Sequence, residues 1–113
     1  MKAIVYSKYG SPDVLKLQEV DKPIPGDDEV LVEVCAASIN SWDGEFLSGS
    51  LFARALGGLL RPKHQILGTD VAGRVAAVGS NVTLLNVGDE VFGEVSKRLL
   101  SIGWGGFAEI VCA

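Results

Sequence analysis

Short β-prone runs recur along the chain, each closed within a few residues by glycine or proline, and this rhythm leaves few folds open. The clearest run covers residues 29–38, where Val30, Val32, Val34 and Ala36 line one face at a period of two. Its other face carries Leu31, Glu33, Cys35 and Ala37, which predicts partial burial on that side as well. Residues 2–7 and 14–20 are two earlier strand candidates, separated by the turn Tyr9-Gly10-Ser11-Pro12. Residues 22–28 hold two prolines and a glycine and read as a loop. The β character returns at Ile66, with strands over 68–78, 90–95 and 107–112. Turns at Gly79-Ser80-Asn81 and Val87-Gly88-Asp89 separate the first two, and Gly103-Trp104-Gly105-Gly106 opens the last. About seven short strands suit closure into a small barrel or sandwich better than an open sheet with long unpaired edges.

One stretch breaks the pattern. After the best strand the β-branched residues stop, and Asn40 or Ser41 is placed to cap a short helix with Asp43 in its first turn. Ser48-Gly49-Ser50 would end that helix. Phe52, Leu56, Leu59 and Leu60 then fall on one helical face. Gly57-Gly58 weakens a helix there, so the expectation is a mobile helical loop ending at Arg61-Pro62.

A chain of 113 residues has room for one domain and one core, and 48% apolar with 21% charged residues is an ordinary globular composition. The net charge of −4, with no basic run, sets nucleic acid and anionic membrane aside as partners. No apolar stretch approaches a membrane span, and residues 1–6 enter a strand without a signal-peptide pattern, so a cytoplasmic location is expected. Cys35 and Cys112 sit in apolar, strand-like contexts and read as buried small hydrophobes rather than a disulfide.

The residue types needed for most chemistries are missing or scattered. Gly68-Thr69-Asp70-Val71-Ala72-Gly73 is rich in glycine but contains neither a G-x-G-x-x-G pattern nor a P-loop lysine. Its glycines read instead as bends and close backbone approaches in a curved sheet. His64 is the single histidine and the cysteines lack C-x-x-C spacing. A zinc site assembled from Asp43, Asp70 and His64 is therefore possible on paper only, and His64 reads as a solvated loop residue. The same shortage leaves no nucleophile triad. What stands out is Asn40-Ser41-Trp42-Asp43 with Phe46, where polar and aromatic groups gather just after the best strand. The plain alternative is a capped helix with Trp42 buried.

The ordered segments resemble the catalytic domain of the medium-chain dehydrogenase/reductase superfamily, in its zinc-free quinone oxidoreductase or zeta-crystallin-like branch. The carrying residues are Met1-Lys2-Ala3-Ile4-Val5, Ala37-Ser38-Ile39-Asn40 with Asp43 and Ser48-Gly49, and Leu67-Gly68-Thr69-Asp70-Val71-Ala72-Gly73. They continue through Val78-Gly79-Ser80-Asn81-Val82, Val87-Gly88-Asp89-Glu90-Val91-Phe92-Gly93 and Gly105-Gly106-Phe107-Ala108-Glu109. No single motif is specific, but six in this order are.

The resemblance implies a mainly β, GroES-like fold over residues 1–113, a partly open barrel with short helices. Zinc-dependent members place a cysteine ligand where this chain has Asn40, and a histidine–glutamate pair where it has Thr69 and Asp70. Asn40 and Thr69 bind zinc poorly, and no cysteine follows Gly93 until Cys112, so no zinc is expected. The resemblance makes Asn40 and Asp43 the candidate catalytic residues and Asn40 and Ser41 the candidate contacts to an NADP or NAD nicotinamide. Trp42, Phe46, Phe52 and Thr69 become candidates for the substrate pocket. Tyrosine-bearing members carry that residue where Glu45 stands here, which counts against a tyrosine-assisted mechanism. The partners implied are a small carbonyl or quinone substrate and a Rossmann cofactor domain, which this chain lacks, so the chain alone is expected to be inactive. A free-standing binding or assembly module, open to homo-oligomer formation, is the alternative.

Overall fold

The computed structural model describes residues 1–95 and 105–113. The opening of the last predicted strand at Gly103 and Trp104 lies outside the described residues. Six strands and two short helices are described: β1 (Lys2–Val5), β2 (Lys16–Glu19), β3 (Val30–Ser38), α1 (Ser41–Ser48), α2 (Leu51–Gly57), β4 (Asp70–Val78), β5 (Glu90–Glu94) and β6 (Ile110–Cys112). A single 3₁₀ turn at Pro12–Val14 shortens the predicted second strand at its start, because the proline fixes a turn conformation there.

The strands form two open sheets, not a closed barrel. One has the order β5-β4-β3-β6 and the other pairs β1 with β2, with every pairing antiparallel. β1 links them. Beyond its pairing with β2 it makes isolated bridges from Ala3 to Ala108 and from Val5 to Ile66. The barrel-like enclosure is therefore partial, as the family resemblance implies, and the closure read from the strand rhythm is not reached.

Where the sheet curves, the core is built from β-branched side chains. Val30, Val32, Val71, Val75, Val95 and Val111 are buried together, with Val34, Val78 and Leu85 packed against them. β3 carries two register shifts, and the second falls between Val34 and Ala36. That shift leaves Cys35 without a paired residue, and from there to Ser38 the strand is exposed. A bulge bends the strand away from its partner and breaks the alternation. This corrects two expectations. Glu33, Cys35 and Ala37 are exposed rather than partly buried, and Cys35 is not a core residue. Cys112 is half-buried, and no disulfide joins it to Cys35.

Gly73 shows why glycine punctuates β4. A Cβ there would lie 2.0 Å from the Glu33 carbonyl oxygen, so only glycine lets β3 and β4 approach this closely. No helix among the described residues is long and apolar enough to cross a membrane.

Candidate functional site

The exposed end of β3 delivers the chain straight into α1, and Asn40 sits at the joint. Its backbone is extended and its Oδ1 accepts a hydrogen bond from the Trp42 amide at 2.9 Å. Asp43 answers from the third helical position, its Oδ2 accepting from the Asn40 amide at 2.9 Å. This reciprocal capping box satisfies donors that a helix start otherwise leaves unpaired. The cap is as the sequence predicts, and Gly49 closes the helix in a left-handed conformation.

Both capping residues also reach across the fold. Asp43 is buried, and its Oδ1 accepts from the Gly68 amide at 3.0 Å. The Asn40 Nδ2 donates to Thr69 Oγ1 at 2.6 Å and to Asp70 Oδ2 at 2.7 Å. A carboxamide nitrogen has two hydrogens, so both are engaged. Asn40, Asp43 and residues 68–70 thus form one polar node that ties the start of α1 to the entry of β4. Thr69 is fully buried within it, and Asp70 is half-buried.

Asp70, which the sequence offers only as a zinc ligand on paper, joins this node as an acceptor from Asn40. Register pairs it with Ser38 on one side and Glu94 on the other. These three residues, with Ala37 and Gly93, line an open groove of about 370 Å³ on the exposed end of the sheet. The signal in the sequence was a Thr-Asp pair between a glycine and a strand, two polar groups where the chain turns inward.

The aromatic candidates divide. Phe46 is buried and belongs to a second core with Tyr6, Ala53 and Leu67. Trp42 is 40% exposed, which removes the reading of a buried tryptophan. Its ring lies 6.1 Å from that of Phe52 and 6.3 Å from that of Phe46. Ser41 is exposed in the first turn of α1. The structure therefore brings Asn40, Asp43 and Thr69 into one node, with Trp42 and Phe52 beside it at the surface.

α2 departs from expectation. It ends at Gly57 rather than near Pro62, because Gly58 leaves helical geometry, its amide still bonded to the Arg54 carbonyl. Phe52, Leu56, Leu59 and Leu60 are all exposed, and the buried residues are Ala53 and Gly57. The reason is space: a Cβ at Gly57 would lie 2.9 Å from the Phe46 ring, so only small residues fit against that core. Arg54 anchors the helix instead. Its Nε donates to the Gly49 carbonyl, and its guanidinium lies 4.6 Å over the Tyr9 ring.

His64 is exposed, and burial of part of the ring together with the charge of Lys63 holds its pKa below the ordinary histidine value. Among the described residues no three His, Cys, Asp or Glu side chains converge as a metal site.

With this geometry established, similarity to known proteins has a place to attach. Residues 26–113 match the family model of the alcohol dehydrogenase GroES-like domain. The NADPH-dependent alkenal/one oxidoreductase of Arabidopsis thaliana chloroplasts is 43% identical over 101 residues, covering 88% of this chain and 25% of that protein. The quinone oxidoreductase of Lama guanicoe is 39% identical over 115 residues, covering 100% of this chain and 31% of the relative. The solved quinone oxidoreductase of Coxiella burnetii superposes with a TM-score of 0.82 at 36% identity, covering 100% of this chain and 34% of that one. The chain thus spans a quarter to a third of the length of these relatives.

Proposed function

We propose, from the premise that this chain belongs to the alcohol dehydrogenase GroES-like domain family and to the quinone oxidoreductase-like branch of the medium-chain dehydrogenase/reductases, that it is the substrate-side domain of a zinc-independent oxidoreductase. The complete enzyme would reduce quinones, enones or other activated carbonyls with NADPH, the cofactor carried in the name of the Arabidopsis relative. The observation that carries this reading is the polar node. At the position where zinc-dependent members place a thiolate, this chain has an amide nitrogen already bonded to a hydroxyl and a carboxylate. That donor set fixes dipoles well and holds zinc poorly.

The described residues suit the nicotinamide end of such a cofactor, with Ser41 exposed in the first turn of α1 and the Asn40 carboxamide beside it. The phosphate end belongs to a further domain. When bound, the cofactor supplies the hydride. Asn40 then exchanges one of its two present partners for the substrate carbonyl oxygen and donates to the charge that develops there. Asp43 keeps Asn40 in position by holding the Asn40 backbone amide. Trp42 and Phe52 supply the apolar side of the pocket.

The test begins with the coding sequence beyond Ala113. An open frame containing a G-x-G-x-x-G pattern, expressed whole, should oxidise NADPH in the presence of a short quinone or an alkenal. In that protein Asn40→Ala should lower kcat by about 100-fold, the typical effect of losing one donor to a developing oxyanion. Turnover by the 113-residue chain alone would overturn the reading. So would a stop codon directly after Ala113, which favours a non-catalytic binding module.

A further inference from the structure

The Asn40 carboxamide has no hydrogen to spare. One Nδ2 hydrogen goes to Thr69 Oγ1 at 2.6 Å and the other to Asp70 Oδ2 at 2.7 Å, while Oδ1 takes the Trp42 amide. Chemistry fixes the orientation of the group as firmly as distance does. A carboxylate only accepts, so the nitrogen and not the oxygen of Asn40 must face Asp70. A carbonyl oxygen that binds Asn40 therefore has to displace either Thr69 or Asp70, and the two are not equivalent.

Thr69 has no exposed surface. Its carbonyl accepts from the Val95 amide, and Gly68 before it gives its amide to Asp43 and its carbonyl to the Gly106 amide. The β-branched side chain has little freedom at χ1. Atoms of this chain supply that burial, so a larger protein can only keep it or add to it. If Asn40 let go of Thr69, a hydroxyl oxygen would be left unpaired in the interior. Asp70 differs. Its backbone is fixed in β4 between Ser38 and Glu94, but its side chain is half-buried and borders the groove at the end of the sheet. Among the described residues no cation pairs with it. Its carboxylate can turn toward the groove when Asn40 leaves it.

We propose that Thr69 is the permanent anchor of Asn40 and that Asp70 is its removable partner, occupying the hydrogen that the substrate later takes. Thr69 is then a positioning residue that acts on the substrate only through Asn40. Asp70 is a built-in competitor that holds the carboxamide in its working orientation until a carbonyl oxygen arrives from the Asp70 side. The assignment rests on the oxidoreductase reading and deepens it, since it says which of the two bonds is exchanged.

The experiment is steady-state kinetics, with NADPH and a short quinone, on the whole protein read from the open frame beyond Ala113. Asp70→Asn replaces a charged acceptor by a neutral one of the same size. It should raise kcat/KM about ten-fold, the difference between a bond to a charged and to a neutral partner, and the gain should lie in KM. Thr69→Val keeps the shape without the hydroxyl and should lower kcat about ten-fold, with Thr69→Ser restoring it. A KM that does not fall in Asp70→Asn, or one that falls in Thr69→Val, overturns the assignment while a slow Asn40→Ala enzyme upholds the reading. An Asn40→Ala enzyme as fast as the parent overturns the reading and the assignment together. A second readout needs neither turnover nor a substitution. In the ¹⁵N-labelled 113-residue chain, the Asn40 Nδ2 hydrogen facing Asp70 should exchange with water faster than the one facing Thr69. Equal or inverted rates overturn the assignment.

Discussion

The two cores of this small domain are built on different principles. The first, around Val30, Val32, Val71, Val75, Val95 and Val111, is a set of stiff β-branched side chains presented by paired strands. Its order comes from backbone ladders, and it needs no polar help. The second, around Tyr6, Phe46, Ala53 and Leu67, lies beneath two helices too short to persist by themselves. It is tied together by polar bonds: Asp43 to Gly68, Asn40 to Thr69 and Asp70, and the Tyr9 hydroxyl donating to the Gly58 carbonyl at 2.6 Å. The first core holds the sheet. The second places the candidate site, and its geometry depends on a few specific hydrogen bonds.

The sharpest way to break this contrast is Asp43→Ala. Both carboxylate oxygens accept from backbone amides, so the change strands two donors, one from each end of the node. A loss of about 3 kcal/mol in a urea melt is expected, more than for any single valine. A loss no larger than the valine value would show that the node is not what holds the second core.

Next in size is a pH effect confined to the second core. Burial, reinforced by the neighbouring Tyr9, raises the Tyr6 pKa from 10.0 to about 12. The folded chain thus holds this proton more tightly than the unfolded chain. The resulting stability is fully present below pH 10 and is lost as pH climbs from 10 toward 12. It amounts to at most about 3 kcal/mol, at about 1.4 kcal/mol per unit. Stability measured across that window should fall in the parent chain and fall much less in Tyr6→Phe.

For the first core, Val75→Ala removes two methyl groups from a fully buried position. About 2 kcal/mol of destabilisation is expected, with no shift in the alkaline limb that Tyr6 controls. If the alkaline limb moves as well, the two cores are one cooperative unit. The smallest effect belongs to His64. Its depressed pKa contributes stability that is present above about pH 6.5 and lost as pH falls through the lowered folded value. His64→Gln should slightly flatten the acid limb of a thermal-melt series, and an unchanged limb would place that loop outside both cores.

The first core was legible because strands write themselves at a period of two. Val30 and Val32 are buried as the alternation in residues 29–38 requires. The alternation misled at Glu33, which is exposed, and again past Val34, where a bulge that no residue pattern announced turned Cys35 outward. The capping box was legible too, since Asn40 and Asp43 carry it by local spacing alone. What the sequence hid is long-range. Nothing near Asn40 says that its amide meets Thr69 and Asp70 some thirty positions later. α2 was misread for a related reason. Its leucines and phenylalanine match a core-facing stripe, but Phe46 occupies the space they would need, so Ala53 and Gly57 face inward instead.

The way β1 is held carries a consequence for how the molecule comes into being. The Lys2 amide donates to the Glu109 carboxylate at 2.8 Å, the Glu109 amide returns a bond to the Lys2 carbonyl, and the Ile4 amide bonds to the Phe107 carbonyl. The first strand thus finds its partners up to 107 positions further along the chain. β1 and β2 can pair early, but the enclosure cannot be completed until synthesis has passed residue 109. Contacts this distant in sequence slow the final step and leave an unpaired strand edge exposed while the chain waits.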